Sequence, residues 1–151
     1  MNALYLQISH INGSSQDEQH TGWLDVMDYH WGGQRDKRFG GTVNFRNLRV
    51  NTMLDQATPP LVLYAANGNP LSKVVLAACK AGGVQQEFYR ITLEGARVVA
   101  FSLDETSEGT LAEYEFEADC FKIQYWDQRP DGGRAAEVRA GWNVKNNVSV
   151  F

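Results

Sequence analysis

Apolar and polar residues alternate along most of this chain, the period-two signature of strands with one buried face and one wet face. From Met27 to Trp31 the apolar positions are Met27, Tyr29 and Trp31, with Asp28 and His30 between them. From Val43 to Phe45 the odd positions are again apolar; after Asn47 the phase changes, and Leu48 and Val50 carry the apolar side. That one-residue slip predicts a bulge within a single bent strand. The longest case runs from Glu113 to Trp126. Tyr114, Phe116, Ala118 and Cys120 alternate with Glu113, Glu115, Glu117 and Asp119, and past Cys120 the apolar set becomes Phe121, Ile123 and Tyr125. A long strand with a slip at its midpoint bends round a barrel corner or passes between two sheets.

Turn chemistry fills the gaps. Leu71 to Lys80 and Val84 to Glu94 read as a hairpin joined by Ala81-Gly82-Gly83, where glycine supplies the positive φ of a tight turn. Gly95 marks a further turn, Val99, Phe101 and Leu103 form the next strand, and Asp104 to Gly109 reads as a loop. Arg129-Pro130-Asp131-Gly132-Gly133 is a strong turn before a final run with Val138, Ala140, Trp142 and Val144 on one face. Only Thr58 to Gly68 suits a helix: a cap residue, prolines in the first turn, then Leu and Ala, then an Asn-Gly stop. The expected architecture is mainly β: a compact β-barrel or sandwich of two antiparallel sheets with one short flanking α-helix.

A length of 151 residues suits one domain spanning 1–151, and 43% hydrophobic residues supply enough apolar material to exclude disorder. Apolar runs such as Pro59 to Ala66 fall far short of the roughly 20 residues a membrane helix needs. The start has neither a basic nor an apolar leader region, so synthesis and folding in the cytoplasm are expected. A net charge of −4 weighs against general nucleic-acid binding. Charge is unevenly placed, however. Residues 35 to 49 hold Arg35, Lys37, Arg38, Arg46 and Arg49 against Asp36 alone, whereas residues 104 to 119 hold seven carboxylates and no Lys or Arg. Carboxylates at alternate strand positions repel one another unless a basic surface sits opposite. Both segments read either as solvated faces or as self-complementary contacts between identical subunits.

Candidate chemistry is sparse. His10, His20 and His30 have no Ser, Cys or Asp at a spacing that suggests a triad. The glutamates at 113, 115 and 117 place carboxylates about 7 Å apart, within glycosidase range, but a polar strand face makes the same pattern. Gly32 to Gly41 is glycine-rich and basic yet lacks the order of a phosphate loop, and reads as a mobile surface loop, with nucleic-acid binding as a remote alternative. Cys79 and Cys120 read as free, small core residues, with no metal-ligand spacing. No catalytic residue, metal or cofactor is expected.

In this order the residues resemble the haemolysin-coregulated protein (Hcp) family of type VI secretion systems over nearly the whole chain. Leu6-Gln7-Ile8 with Ile11-Asn12-Gly13-Ser14-Ser15 is similar to the family's first strand and turn. His20, Leu24-Asp25-Val26 and Tyr29-His30-Trp31-Gly32 match its next segment, with Tyr29 where Trp is commoner. Leu54 to Leu61, Lys80 to Gly83, Tyr89 to Leu93 and Gly141 to Asn147 match its helix start, hairpin turn, Tyr-x-Ile-x-Leu strand and terminal Gly-Trp motif. The resemblance implies a small β-barrel with an attached helix, closing as a homohexameric ring. Stacked rings would form the inner tube of a contractile injector, inside a contractile sheath and with a spike protein at the tip. The lumen would carry small effector proteins, and the subunit itself would be secreted without a signal peptide. The role is structural, not enzymatic, with no nucleic acid and no membrane insertion; a tube protein of a phage tail or extracellular injection system is the alternative. Asp28 and His30 are the implied lumen positions. Arg35, Lys37, Arg38, Glu113, Glu115 and Glu117 are candidates for ring-ring or subunit contacts, and the loop from Gly33 to Thr42 looks like the one that projects toward the next ring.

Overall fold

A computed structural model describes residues 2–36, 42–80 and 85–150. Eleven strands and one helix follow in the order β1 (Ala3–Ile8), β2 (Leu24–His30), β3 (Gly33–Asp36), β4 (Thr42–Phe45), β5 (Leu48–Met53), α1 (Thr58–Asn67), β6 (Leu71–Lys80), β7 (Gln86–Thr106), β8 (Gly109–Glu117), β9 (Cys120–Gln128), β10 (Arg134–Asn143) and β11 (Val148–Ser149). Nine strands form one antiparallel sheet in the order β11-β10-β9-β7-β6-β1-β2-β5-β8, and a further pairing of β7 with β8 closes six of them into a barrel. β3 and β4 make a separate two-stranded ribbon.

Closure depends on β7, which is 21 residues long and keeps different company along its length. Its first half pairs with β6 on one side and β9 on the other; its second half pairs with β8. The register is continuous from Leu93↔Phe121 and Glu94↔Cys120 to Arg97↔Glu117 and Val98↔Phe116. β8 and β9 are therefore one long run broken at Ala118-Asp119, the corner that the phase slip predicts, although the break falls two residues before the slip. Gly95 sits across that corner at φ +61° and makes it possible, because a Cβ there would lie 2.6 Å from Asp119 Oδ2. Gly95 is thus a kink inside a strand and not the turn expected from the sequence. The Asp104–Gly109 loop is likewise replaced by strand, with β7 running to Thr106 and turning tightly into β8 at Gly109.

The core is the barrel interior. Tyr114 and Phe116 from β8, Leu48 and Val50 from β5, Leu24 from β2, Leu6 from β1 and Leu76 and Val74 from β6 are all buried in it. Two phase readings change here. A bulge between Val26 and Asp28 puts Leu24, Val26 and Tyr29 inward and throws Met27 out, 51% exposed. Val43–Val50 is not one bulged strand: β4 and β5 lie in different sheets, divided at Arg46-Asn47, where the Arg46 N–H donates to Gly32 O at 2.8 Å. The basic segment read as a loop begins and ends as the paired β3–β4 ribbon; its tip lies outside the described residues.

The helix forms where expected. Pro59 and Pro60 occupy first-turn positions that need no donor, and Gly68, at φ +71°, ends it by donating to Tyr64 O. The cap differs from expectation: Ala57 is the N-cap, and Thr58 is instead buried, its Oγ1 accepting the Tyr114 hydroxyl at 2.7 Å. Leu61 joins the cluster that contains Ala96 and Val98, which seats α1 on the middle of β7.

Two strand edges stay open among the described residues. β6 stops pairing at Leu71↔Ala96, and beyond α1 the outer side of β7 from Val99 to Thr106 has no partner strand. β11 covers β10 only at Trp142 and Asn143, which leaves Arg134–Ala140 uncovered on the side away from β9.

If the barrel interior carries the stability, Phe116→Ala costs roughly 3–5 kcal/mol, whereas Leu63→Ala on the exposed helix surface changes stability by under about 0.5 kcal/mol. Chemical denaturation of the two variants measures this, and similar losses for both would contradict the core assignment.

Candidate functional site, a charged sheet face

The outer surface of β2, β5, β8 and the second half of β7 is a polar sheet face, laid out by register. His30 lies beside Arg49, Arg49 beside Glu115 and Glu115 beside Ala100; one row along, Asp28 lies beside Asn51, Asn51 beside Glu113 and Glu113 beside Ser102. Asp28 and His30 are both exposed on this face. Their inward neighbours Tyr29 and Tyr89 join through their hydroxyls, and burial raises the Tyr29 pKa well above the ordinary phenol value.

Two arginines resolve the repulsion built into β8. Arg49 Nη2 donates to Glu115 Oε1 at 3.1 Å and its Nε lies 3.5 Å from Glu113 Oε1. Asn47 Nδ2 donates to the other Glu115 oxygen at 3.0 Å. Arg97 Nη2 lies 2.7 Å from Glu117 Oε1 and 3.3 Å from Asp119 Oδ1. The hydrogen bond from Asn47, with that from Arg49, holds the Glu115 carboxyl below its ordinary pKa. Each exposed pair is worth at most about 1 kcal/mol, so the ladder is neutralised more than it is strengthened. Part of the charge complementarity legible in the sequence is therefore satisfied inside one chain. Arg35 is exposed on β3, away from this ladder, and Lys37 and Arg38 lie outside the described residues. Beside the ladder, a cleft of about 770 Å³ opens between Trp31, Phe45 and Phe121 on its apolar side and Arg46, Arg97 and Asp119 on its polar side.

A second cluster has the composition of a nucleophilic triad without its chemistry. The His20 Nδ1–H donates to Asp17 Oδ2 at 2.7 Å, and His20 Nε2 lies 4.0 Å from Cys79 Sγ. The imidazole stacks on Tyr5, ring centroids 4.0 Å apart, with Trp23 edge-on at 4.8 Å. Cys79 is fully buried on β6, and burial pushes its thiol up to about 11, so it holds its proton at neutral pH. The cluster ties the segment before β2 onto β1 and β6. In sequence His20 reads as isolated, although Asp17, three residues earlier, is its partner in the fold. His10 and His30 are exposed, and among the described residues no group of His, Cys, Asp and Glu has the arrangement to hold a metal ion. Both cysteines are free. No described helix is long and apolar enough to cross a membrane.

The hydrogen bond from His20 lowers the pKa of Asp17, as the bonds from Asn47 and Arg49 lower that of Glu115, relative to ordinary values of 3.8 and 4.5. A depressed carboxyl stabilises the fold above its unfolded pKa and loses that contribution as pH falls through the folded one. Thermal stability is expected to hold from neutrality to about pH 5 and to fall through the carboxylate range below it. Asp17→Asn and Glu115→Gln should each flatten that fall; acid melting curves as steep as the parent's in both variants would contradict the assignment.

Comparison with known proteins places this architecture. A family model described as "Type VI secretion system effector, Hcp" matches residues 5–128. No curated protein matches the chain. Among solved structures, a type six secretion system protein superposes with TM-score 0.91 at 20% identity, covering 99% of this chain and 100% of that one. Hcp1 from Salmonella typhimurium gives 0.85 at 24% identity with 99% of each chain covered, and Hcp2 from the same organism gives 0.76 at 23%, covering 97% and 98%.

Proposed function

The chain belongs to the Hcp family of type VI secretion system proteins, and from that premise we propose that it is the repeating subunit of a secretion tube, closing as a hexameric ring that stacks on further rings. The match to the family model over residues 5–128 carries this reading, and the barrel with its single helix supports it. In the ring, Asp28 and His30 face the lumen together with Arg49, Asn51 and Glu113 beside them. This surface is hydrated and mixed in charge, and it lets a small effector protein pass without adhering. Arg35, with Lys37 and Arg38 of the same basic segment, contacts the acidic residues of a neighbouring subunit or ring. Glu113, Glu115 and Glu117 remain available to that contact only in so far as Arg49 and Arg97 share them. The subunit leaves the cell with the tube, ahead of the contracting sheath and behind the spike. Its role is to enclose a channel, and no residue is assigned to catalysis.

Light scattering on the purified chain tests the proposal, with negative-stain microscopy of the same sample. The expected mass is six times the 16.9 kDa subunit, in annular particles with a central opening. A monomer at every concentration, or particles without an opening, would overturn it.

A further inference from the structure

The cleft of about 770 Å³ beside the glutamate ladder is built where three junctions of the fold meet. The first is the base of the β3–β4 ribbon, fixed by the Arg46 N–H on Gly32 O. The second is the Ala118-Asp119 corner, where the Asp119 N–H donates to Glu94 O at 3.1 Å. The third is the turn after β10, whose Val144 and Lys145 N–H groups both donate to Asp119 O, at 2.7 and 3.3 Å. One side is aromatic: Phe121 meets Trp31 at 5.0 Å and Phe45 at 4.8 Å between ring centroids, and all three rings are only partly buried. The polar side carries four cations and three carboxylates, in a chain whose net charge is −4. The carboxylates Glu115, Glu117 and Asp119 are taken up by Arg49 and Arg97. Arg46 and Lys145 are exposed and have no ion-pair partner among the described residues.

We propose that this cleft binds a small planar aromatic anion, a ring bearing a carboxylate or a phosphate. The ring lies on the Trp31, Phe45 and Phe121 side, and the anionic group lies on Arg46 and Lys145. The volume falls within the range of small-molecule sites, and an aromatic surface with a few charged groups is their usual lining. Partly buried rings leave apolar surface that a flat ligand covers, and aromatic contacts contribute beyond the area they bury. Charge selects the sign. A cationic ligand would have to displace Arg49 or Arg97 from carboxylates they already hold, whereas an anion meets two cations that are unpaired. An uncharged ring would leave both cations without a partner, and a bare ion would leave the rings uncovered. Backbone hydrogen bonds hold all three junctions in place, so little has to be ordered when the ligand enters. Every side of the cleft comes from one chain, and the site is therefore independent of ring closure.

Titration calorimetry of the full chain with matched probes tests the site. AMP and phenylacetate each combine a ring with an anion. Adenosine and phenylacetamide keep the ring without the charge, and inorganic phosphate and acetate keep the charge without the ring. At least one combined probe should bind roughly tenfold more tightly than either of its separate parts. Whichever does so identifies phosphate or carboxylate as the anionic group. The double substitution Arg46→Gln with Lys145→Gln should weaken that probe about tenfold, and added salt should weaken it in the parent. Both side chains are exposed, so the double variant keeps the parent's melting temperature. Lys80→Gln, on β6 outside the cleft, should leave binding unchanged. Trp31→Phe should remove the change in tryptophan fluorescence that the probe causes in the parent. Combined probes that bind no better than their parts would overturn the site, as would binding that survives the double substitution at full strength. A double variant that alters assembly of the chain, with no probe bound by the parent, would make the cleft a contact between copies and overturn the proposal.

Discussion

The fold depends on one strand belonging to two neighbourhoods. β7 must pair with β6 and β9 along its first half and with β8 along its second, or the barrel does not close. A regular strand cannot serve both without changing direction. Gly95 supplies the change, since φ +61° is open to glycine at little cost and any Cβ would strike Asp119. The corner on the opposite run, Ala118-Asp119, is fixed by the same junction: the Asp119 N–H donates to Glu94 O, and the Asp119 carboxylate meets Arg97. Closure has a consequence for the surface. Among the described residues, the half of β7 that turns away from β6 leaves an unpaired edge, and β10, covered by β11 over only two residues, leaves a second. An interior that is complete in one chain thus coexists with a sheet that is not.

Electrostatics divides along the same line. The carboxylates of β8 look, in sequence, like an unbalanced acidic strand. In the fold they are interleaved with Arg49 from β5 and Arg97 from β7, brought alongside by strand pairing. The internal pairs make a polar face tolerable on a barrel wall. Other charges, Asp104 and Arg139 among them, have no ion-pair partner among the described residues and stay at the surface, where they add little to the stability of a single copy.

Burial also decides what one cluster of reactive residue types does not do. Asp17, His20 and Cys79 stand in the order of a nucleophilic triad, yet desolvation raises the Cys79 pKa and the ring of Tyr5 covers the imidazole. The same three residue types in an open cleft would be a candidate active site; closed under aromatic rings they are a fastening between a loop and the barrel.

The sequence by itself determined the class of fold, most strand faces, the helix with its proline start and glycine stop, and the family. These are local properties: alternation at period two, turn residues and motif order are written in neighbouring positions. Where it misled, the deciding partner was distant in sequence. Met27 read as core because nothing local marks the bulge against β5; Val43–Val50 read as one strand because nothing local says that β4 and β5 join different sheets. Gly95 read as a turn because a turn and a mid-strand kink need the same positive φ. Only the tertiary structure decided that Arg49 and Arg97 neutralise the glutamates, that Cys79 is closed off beside His20, and that Val99–Thr106 and Arg134–Ala140 each have one edge without a partner strand among the described residues. Each is a statement about which strand lies beside which, and pairing across tens of residues is set by closure of the barrel as a whole, not by the residues of any one segment.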